Sequence, residues 1–325
     1  MFPDPMTAMS TAAMMHSVVE LGTILQMSRD TGILVGTCSW TDKTLTDETD
    51  WYPRRSMTAE ERLKFYAAKF PIVEADSTYY FPPSRQLTRS WVERTPADFV
   101  MNVKAYSLLT GHPTRPASLW RDLRDELPAD VAGKRNLYPH HIGDDALEEV
   151  WLRFTDALVP LVDAGKLGAV LMQYPTWFVP KRDNRDELVR MRARMEGLPV
   201  CVELRAPTWF APRDRDRTLD LLRELELSLV VVDAPKASKL PTILEVTNDA
   251  LAVVRFHGRA DDTWNARTGS AAERFRYLYS KQQLRPWAKK LESLGTRARE
   301  VHALMNNCYR DHGVRNAAEL RAMLD

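Results

Sequence analysis

No apolar run in the 325-residue chain reaches the roughly 18 residues that a membrane-crossing helix needs, which argues against a helical membrane protein. The first 29 residues lack the basic start and continuous apolar core of a secretory leader. Cysteine is scarce: Cys38, Cys201 and Cys308 lie far apart and form no CxxC pair, so neither a zinc ribbon nor a disulfide framework is indicated. A reducing cytoplasm is the expected location. Net charge is nearly absent as well, with 45 lysines and arginines against 44 acids, so no overall field draws the molecule to nucleic acid or to a membrane. Histidines number seven, and His257 and His302 alone fall on predicted strands, too few imidazoles for a trinuclear zinc centre.

What is present is an ordinary globular composition, 44% hydrophobic, which supplies enough apolar side chains for one large core. From residue 33 onward, short β-branched runs alternate with amphipathic stretches of helical length, the pattern of parallel βα units. Strands are predicted at 33–38, 72–76, 99–104, 168–173, 200–205, 227–233, 251–257 and 300–306. Helices are predicted near 58–69, 84–94, 146–164, 183–195, 216–225, 281–294 and 314–323. Eight strands point to an α/β fold, a single (β/α)8 TIM barrel occupying 32–325. The alternative is an open doubly wound sheet, but the first strand lacks the GxGxxG turn of a dinucleotide fold. Residues 1–31 form an N-terminal extension, read either as disordered or as a cap under the barrel. The third connection carries a long insertion, about 106–145, interrupted by Gly111, Pro113, Pro116 and Gly133, and is expected to act as a mobile cover or to pack as a side decoration.

Side chains in a strand alternate between faces, so polar residues two apart mark the row that looks into the barrel. Glu74 and Asp76, Asn102 and Lys104, Glu203 and Arg205, and Arg255 and His257 form four such pairs. The intervening Val73, Ala75, Met101, Val103, Val202, Leu204, Val254 and Phe256 suit packing against helices. Asp233 ends the sixth strand, while Asn306 and Asn307 end the eighth. Charge inside a barrel must be paired, hydrated or used on a ligand, so the cluster is either a self-neutralising network or a site. Six of the nine tryptophans, Trp40, Trp51, Trp120, Trp177, Trp209 and Trp264, follow strands, as do Tyr79, Tyr80 and Phe81; such faces suit sugar rings or nucleobases.

These strand-end motifs resemble the YecE-like family, also called domain of unknown function 72. The resemblance rests on Gly36-Thr37-Cys38-Ser39-Trp40 with Trp51-Tyr52-Pro53, on Val73-Glu74-Ala75-Asp76-Ser77-Thr78-Tyr79-Tyr80, and on the run from Phe99 to Ala105. It continues through Leu171-Met172-Gln173-Tyr174-Pro175, Val202-Glu203-Leu204-Arg205 with Trp209-Phe210, Arg255-Phe256-His257-Gly258-Arg259, and Asn306-Asn307 before Gly313-Val314-Arg315-Asn316-Ala317. The resemblance implies a TIM barrel and supplies no reaction. Ala206 stands where a histidine is common in the family, and Cys308 where an aspartate is, so the chain departs from the family pattern at those two positions.

The leading functional expectation is an enzyme acting on a phosphorylated or polyhydroxylated ligand at the carboxyl ends of the strands. Acid and base groups would come from Glu74, Asp76, Lys104, Glu203 and His257; ligand contacts would come from Trp40, Tyr79, Gln173, Arg205, Asp233, Arg255, Arg259, Asn306, Asn307 and Gly313. An anion site is expected where strands seven and eight end, from Gly258, Arg259, Asn307, Gly313 and the helix starting near Val314. No cofactor is expected; a single divalent metal on Glu203, Asp233 and His257 is the variant of this reading, that of a metal-dependent hydrolase. A non-catalytic nucleic-acid binder using loop aromatics and arginines is the competing class. Oligomeric state is not legible.

Overall fold

The computed structural model describes residues 32–264 and 271–325, so the expectation for the N-terminal extension lies outside the described residues. Eight strands form a closed parallel barrel in chain order: β1 (Gly32–Thr37), β2 (Ile72–Ala75), β3 (Val100–Lys104), β4 (Leu167–Tyr174), β5 (Val200–Leu204), β6 (Ser228–Asp233), β7 (Leu251–Phe256) and β8 (Glu300–Met305). The closing pair, β8 with β1, runs in register from Glu300 opposite Gly32 to Met305 opposite Thr37. The open-sheet alternative is thereby overturned.

Each predicted helix is found within about two residues of its expected limits; the matches include Ala59–Ala67, Arg85–Glu93, Asp144–Asp163, Arg182–Arg194, Arg215–Glu224, Lys281–Gly295 and His312–Arg321. Local chemistry sets the starts. Thr58 and Glu61 form a reciprocal capping box ahead of Ala59–Ala67, and Ser280 with Gln283 does the same ahead of Lys281–Gly295. Asp144–Asp163 buries Val150, Trp151, Phe154, Ala157, Leu158 and Leu161, the three-and-four spacing of one helix face.

Two cores result. The outer row of the strands, with Val73, Ala75, Met101, Val103, Val202, Leu204, Val254 and Phe256, packs under the helices as expected. Inside the barrel, Ile72, Val100, Ala169, Leu171, Val230, Val253 and Leu304 fill the lower layers. Gly168 is required there: a Cβ would stand 2.4 Å from Val100 Cγ1 and 2.5 Å from Asn102 Oδ1. Among the described residues no helix is long and apolar enough to cross a membrane.

The insertion is not the loose cover that its glycines and prolines suggest. Short turns at Ser107–Thr110, Pro116–Ser118, Arg121–Asp125, Ala129–Ala132 and Pro139–His141 fold it into a packed decoration. Leu108, Leu109, Leu119, Leu123, Val131, Leu137 and Ile142 are all buried, and Thr114 and Leu137 exchange backbone hydrogen bonds. An apolar residue every few positions gives the segment a core to join, and that burial outweighs the turn-forming residues.

Candidate functional site

The inner row does converge. Arg255, from β7, lies at the centre with its side chain fully enclosed; its Nη2 donates to Glu74 Oε1 at 2.7 Å and its Nη1 to Glu203 Oε2 at 2.5 Å. Glu203, at the end of β5, also accepts from Gln173 Nε2 at 2.8 Å and from Arg205 Nε at 2.7 Å. Burial opposes ionisation of this carboxyl, but the positive charge gathered around it prevails and holds it well below the usual range.

His257 completes the ring, with Nε2 at 3.2 Å from Glu203 Oε1 and Nδ1 at 2.8 Å from Asn306 Nδ2. Burial pushes the imidazole down to about 4, against the pull of Glu203, so it is neutral at pH 7. An ionised carboxylate only accepts, so Nε2 carries the proton, and Nδ1 must accept from the amide of Asn306. The tautomer is thus set by its two neighbours.

Asp76 and Lys104 are arranged differently. They follow the buried Glu74 and Asn102 along the same row, nearer the mouth, and neither side chain makes a hydrogen bond or ion pair among the described residues. Burial pushes the Asp76 carboxyl up to about 7, with the charge of Lys104 working against it. Burial, reinforced by Arg255 and Arg205, pushes the Lys104 ammonium down to about 8, and its Nζ sits 4.4 Å from the centre of the Tyr79 ring. A carboxyl and an amine displaced towards neutrality are suited to exchanging protons with a third molecule.

Donors with spare capacity face the same opening. Arg205 uses Nε on Glu203 and lays its guanidinium 5.5 Å from the Trp264 ring, while its terminal nitrogens have no partner among the described residues. Arg259 uses Nε on Asp233, at 3.0 and 3.1 Å, and is half-buried over Tyr279. Asp233 is therefore paired with Arg259 rather than turned towards His257.

Other expected residues are placed elsewhere. Trp40 is buried edge-on against Trp91 at 5.8 Å, in the outer core with the helix side chains. Asn307 donates to Tyr277 O at 2.8 Å and to Asn316 Oδ1 at 2.9 Å, so its amide nitrogen ties the last helix to the 277–279 segment. Gly313 lies beside Asn307, where a Cβ would make ordinary contact at 3.7 Å with Asn307 O and Thr37 Cγ2. Among the described residues no group of three or more His, Cys, Asp or Glu side chains could hold a metal ion, and the trio Glu203, Asp233 and His257 is divided between separate partners.

Sequence reasoning missed His112. It stands at the opening, 5.3 Å from the Tyr79 ring and 5.9 Å from that of Trp177, and burial, with the charges of Lys104 and Arg205, keeps it neutral. Its proximity to Lys104 in the chain was the available signal. Tyr277 and Tyr279, which back Gly258 and Arg259, were also missed.

Fold and site together define a (β/α)8 barrel with an ionisable bowl at the carboxyl ends of its strands. The chain belongs to the family described as protein of unknown function DUF72, which matches residues 34–325. It is 29% identical over 298 residues to the UPF0759 protein YunF of Bacillus subtilis (strain 168), covering 90% of this chain and 95% of that one. A crystal structure of a DUF72 family protein from Enterococcus faecalis V583 is similar with a TM-score of 0.72 at 26% identity, covering 90% of this chain and 95% of the other. One from Thermotoga maritima MSB8 has a TM-score of 0.69 at 28% identity, covering 90% and 98%.

Proposed function

We propose that this DUF72 protein is an enzyme that transfers protons on an anionic ligand carrying hydroxyl or carbonyl groups, a phosphorylated small molecule being the chemical class that fits. The observation that carries the reading is the pair Asp76 and Lys104, at the mouth with no hydrogen bond or ion pair from either side chain among the described residues, and displaced towards neutrality from opposite sides. Glu74 and Glu203 are committed to holding Arg255 and Arg205, and His257 to Glu203 and Asn306, which makes them positioning residues. Arg205 and Arg259 supply guanidinium donors for the anion, and Tyr79 flanks Lys104. The unpaired thiols of Cys38, Cys201 and Cys308 suit a cytoplasmic setting.

Inorganic phosphate titrated into the protein and followed by 31P NMR tests the anion half. Saturable binding that weakens by about tenfold or more in Arg205→Gln is expected, the loss of hydrogen bonds to a charged group. Unchanged binding in that variant sinks the reading. Turnover of a phosphorylated metabolite that persists in both Asp76→Asn and Lys104→Gln would sink the acid–base assignment.

The exposed Tyr80, Phe81 and Trp177 favour a second reading, stacking of nucleic-acid bases. Salt-dependent binding of mixed oligonucleotides is its signature.

A further inference from the structure

Beside the bowl, outside the barrel, a cavity of about 590 Å³ opens between the insertion and the segment after β4. Its floor is apolar, with Leu108, Leu109, Leu147 and Trp151. One wall carries stacked rings: Tyr174 lies on Phe178 at 4.1 Å and 18°, and Phe178 is backed by the buried Trp209 at 5.6 Å. Tyr174 Oη is buried with no hydrogen-bond partner among the described residues. The rim is polar, with His140, Asn184 and Glu187. Trp177, 57% exposed, lines this cavity and also meets His112, which borders the bowl, so one indole separates the two spaces.

We propose that this cavity is a subsite for a planar heteroaromatic group of nucleobase size, stacked against Trp177. Around the opening, the imidazole of His140, the amide oxygen of Asn184, whose Nδ2 donates to Val179 O, and the carboxylate of Glu187, which also pairs with Arg190, can meet the polar edges of a ring, which an acyl chain lacks. The flat walls suit a ring rather than a chain. A ligand that joins such a ring to an anion could occupy cavity and bowl together, past Trp177 and His112. The proposal does not depend on the acid–base roles of Asp76 and Lys104.

Adenosine, AMP, inorganic phosphate and methyl glucoside titrated calorimetrically into wild type and Trp177→Ala provide the test; the exposed position of Trp177 makes loss of fold unexpected. Adenosine should bind, and Trp177→Ala should weaken adenosine and AMP at least about fivefold, the lower end of base-stacking losses, without changing phosphate. Absence of adenosine binding, or equal affinity in the variant, overturns the proposal. Methyl glucoside binding that responds to Trp177→Ala in place of adenosine overturns it too, making the cavity a sugar site. Adenosine bound without phosphate would leave the subsite standing and count against the anion bowl alone.

Discussion

Arg255 and Glu74 face each other at 2.7 Å across the barrel interior, on strands that are not neighbours, with both side chains 1% exposed. A buried pair of this kind is costly to break from one side, because the partner keeps its charge without an ion to balance it. Arg255→Met strands both Glu74 and Glu203. A loss of about 3–5 kcal/mol is expected from urea unfolding at pH 7, and a loss under about 1 kcal/mol would contradict the central role given to this guanidinium.

Two of the shifted groups, Asp76 and His257, contribute to the pH dependence of stability in opposite senses. The folded Asp76 carboxyl titrates near 7 rather than 3.8, so the folded state binds more protons between those values and its contribution is lost as pH rises through 7. His257 titrates near 4 rather than 6.5, so its contribution is complete above 6.5 and lost as pH falls to 4. Asp76→Asn should therefore be more stable than wild type at pH 8 and should show a steeper acid loss. Urea midpoints against pH check both; a variant less stable than wild type at pH 8 contradicts the first.

His257 should remain neutral, with its proton on Nε2, from pH 7 down to about 4. Two-dimensional 15N spectra of the imidazole report both the tautomer and the titration. Titration near 6.5 would show that the bond from Asn306 and burial do not govern the ring.

Tyr174→Phe removes a buried hydroxyl that has no partner among the described residues and keeps the ring stacked on Phe178. An unmade buried hydrogen bond costs about 1–3 kcal/mol, so the variant should unfold no more easily than wild type, and an increase in stability is the expected sign. A clear drop would mean that the hydroxyl is bonded in solution.

Leu137 is fully buried inside the insertion. Leu137→Ala should cost about 2–5 kcal/mol if the insertion and barrel unfold together. Limited proteolysis of wild type should leave 106–145 uncut until the barrel opens; early cutting there would restore the mobile-cover expectation.

Strand positions and the inward row were legible because both depend on a period of two, which is local. Glu74, Arg255 and Glu203 could be placed on one surface that way. That Arg255 would bridge two carboxylates while Lys104 stayed unpaired was not legible, since it depends on the circumference of the closed barrel and on height along its axis. Trp40 follows a strand as Trp177 does, yet one is enclosed by Trp91 and the other exposed, a difference that depends on which distant residue packs against each. His112 belongs to a segment whose turn residues conceal its apolar anchors, so its return to the opening had no periodic signature.

Glu203 accepts from groups on β4, just past β5 and on β7, and His257 carries the connection on to Asn306 after β8. The strand ends around half the circumference are thus stitched into one rigid collar. A ligand that seats on Arg205 meets a preset frame and has little to reshape there. Discrimination between related ligands must then fall to the segments above the collar, so relatives with the same strand ends and different insertions should differ in what they bind more than in how they anchor it.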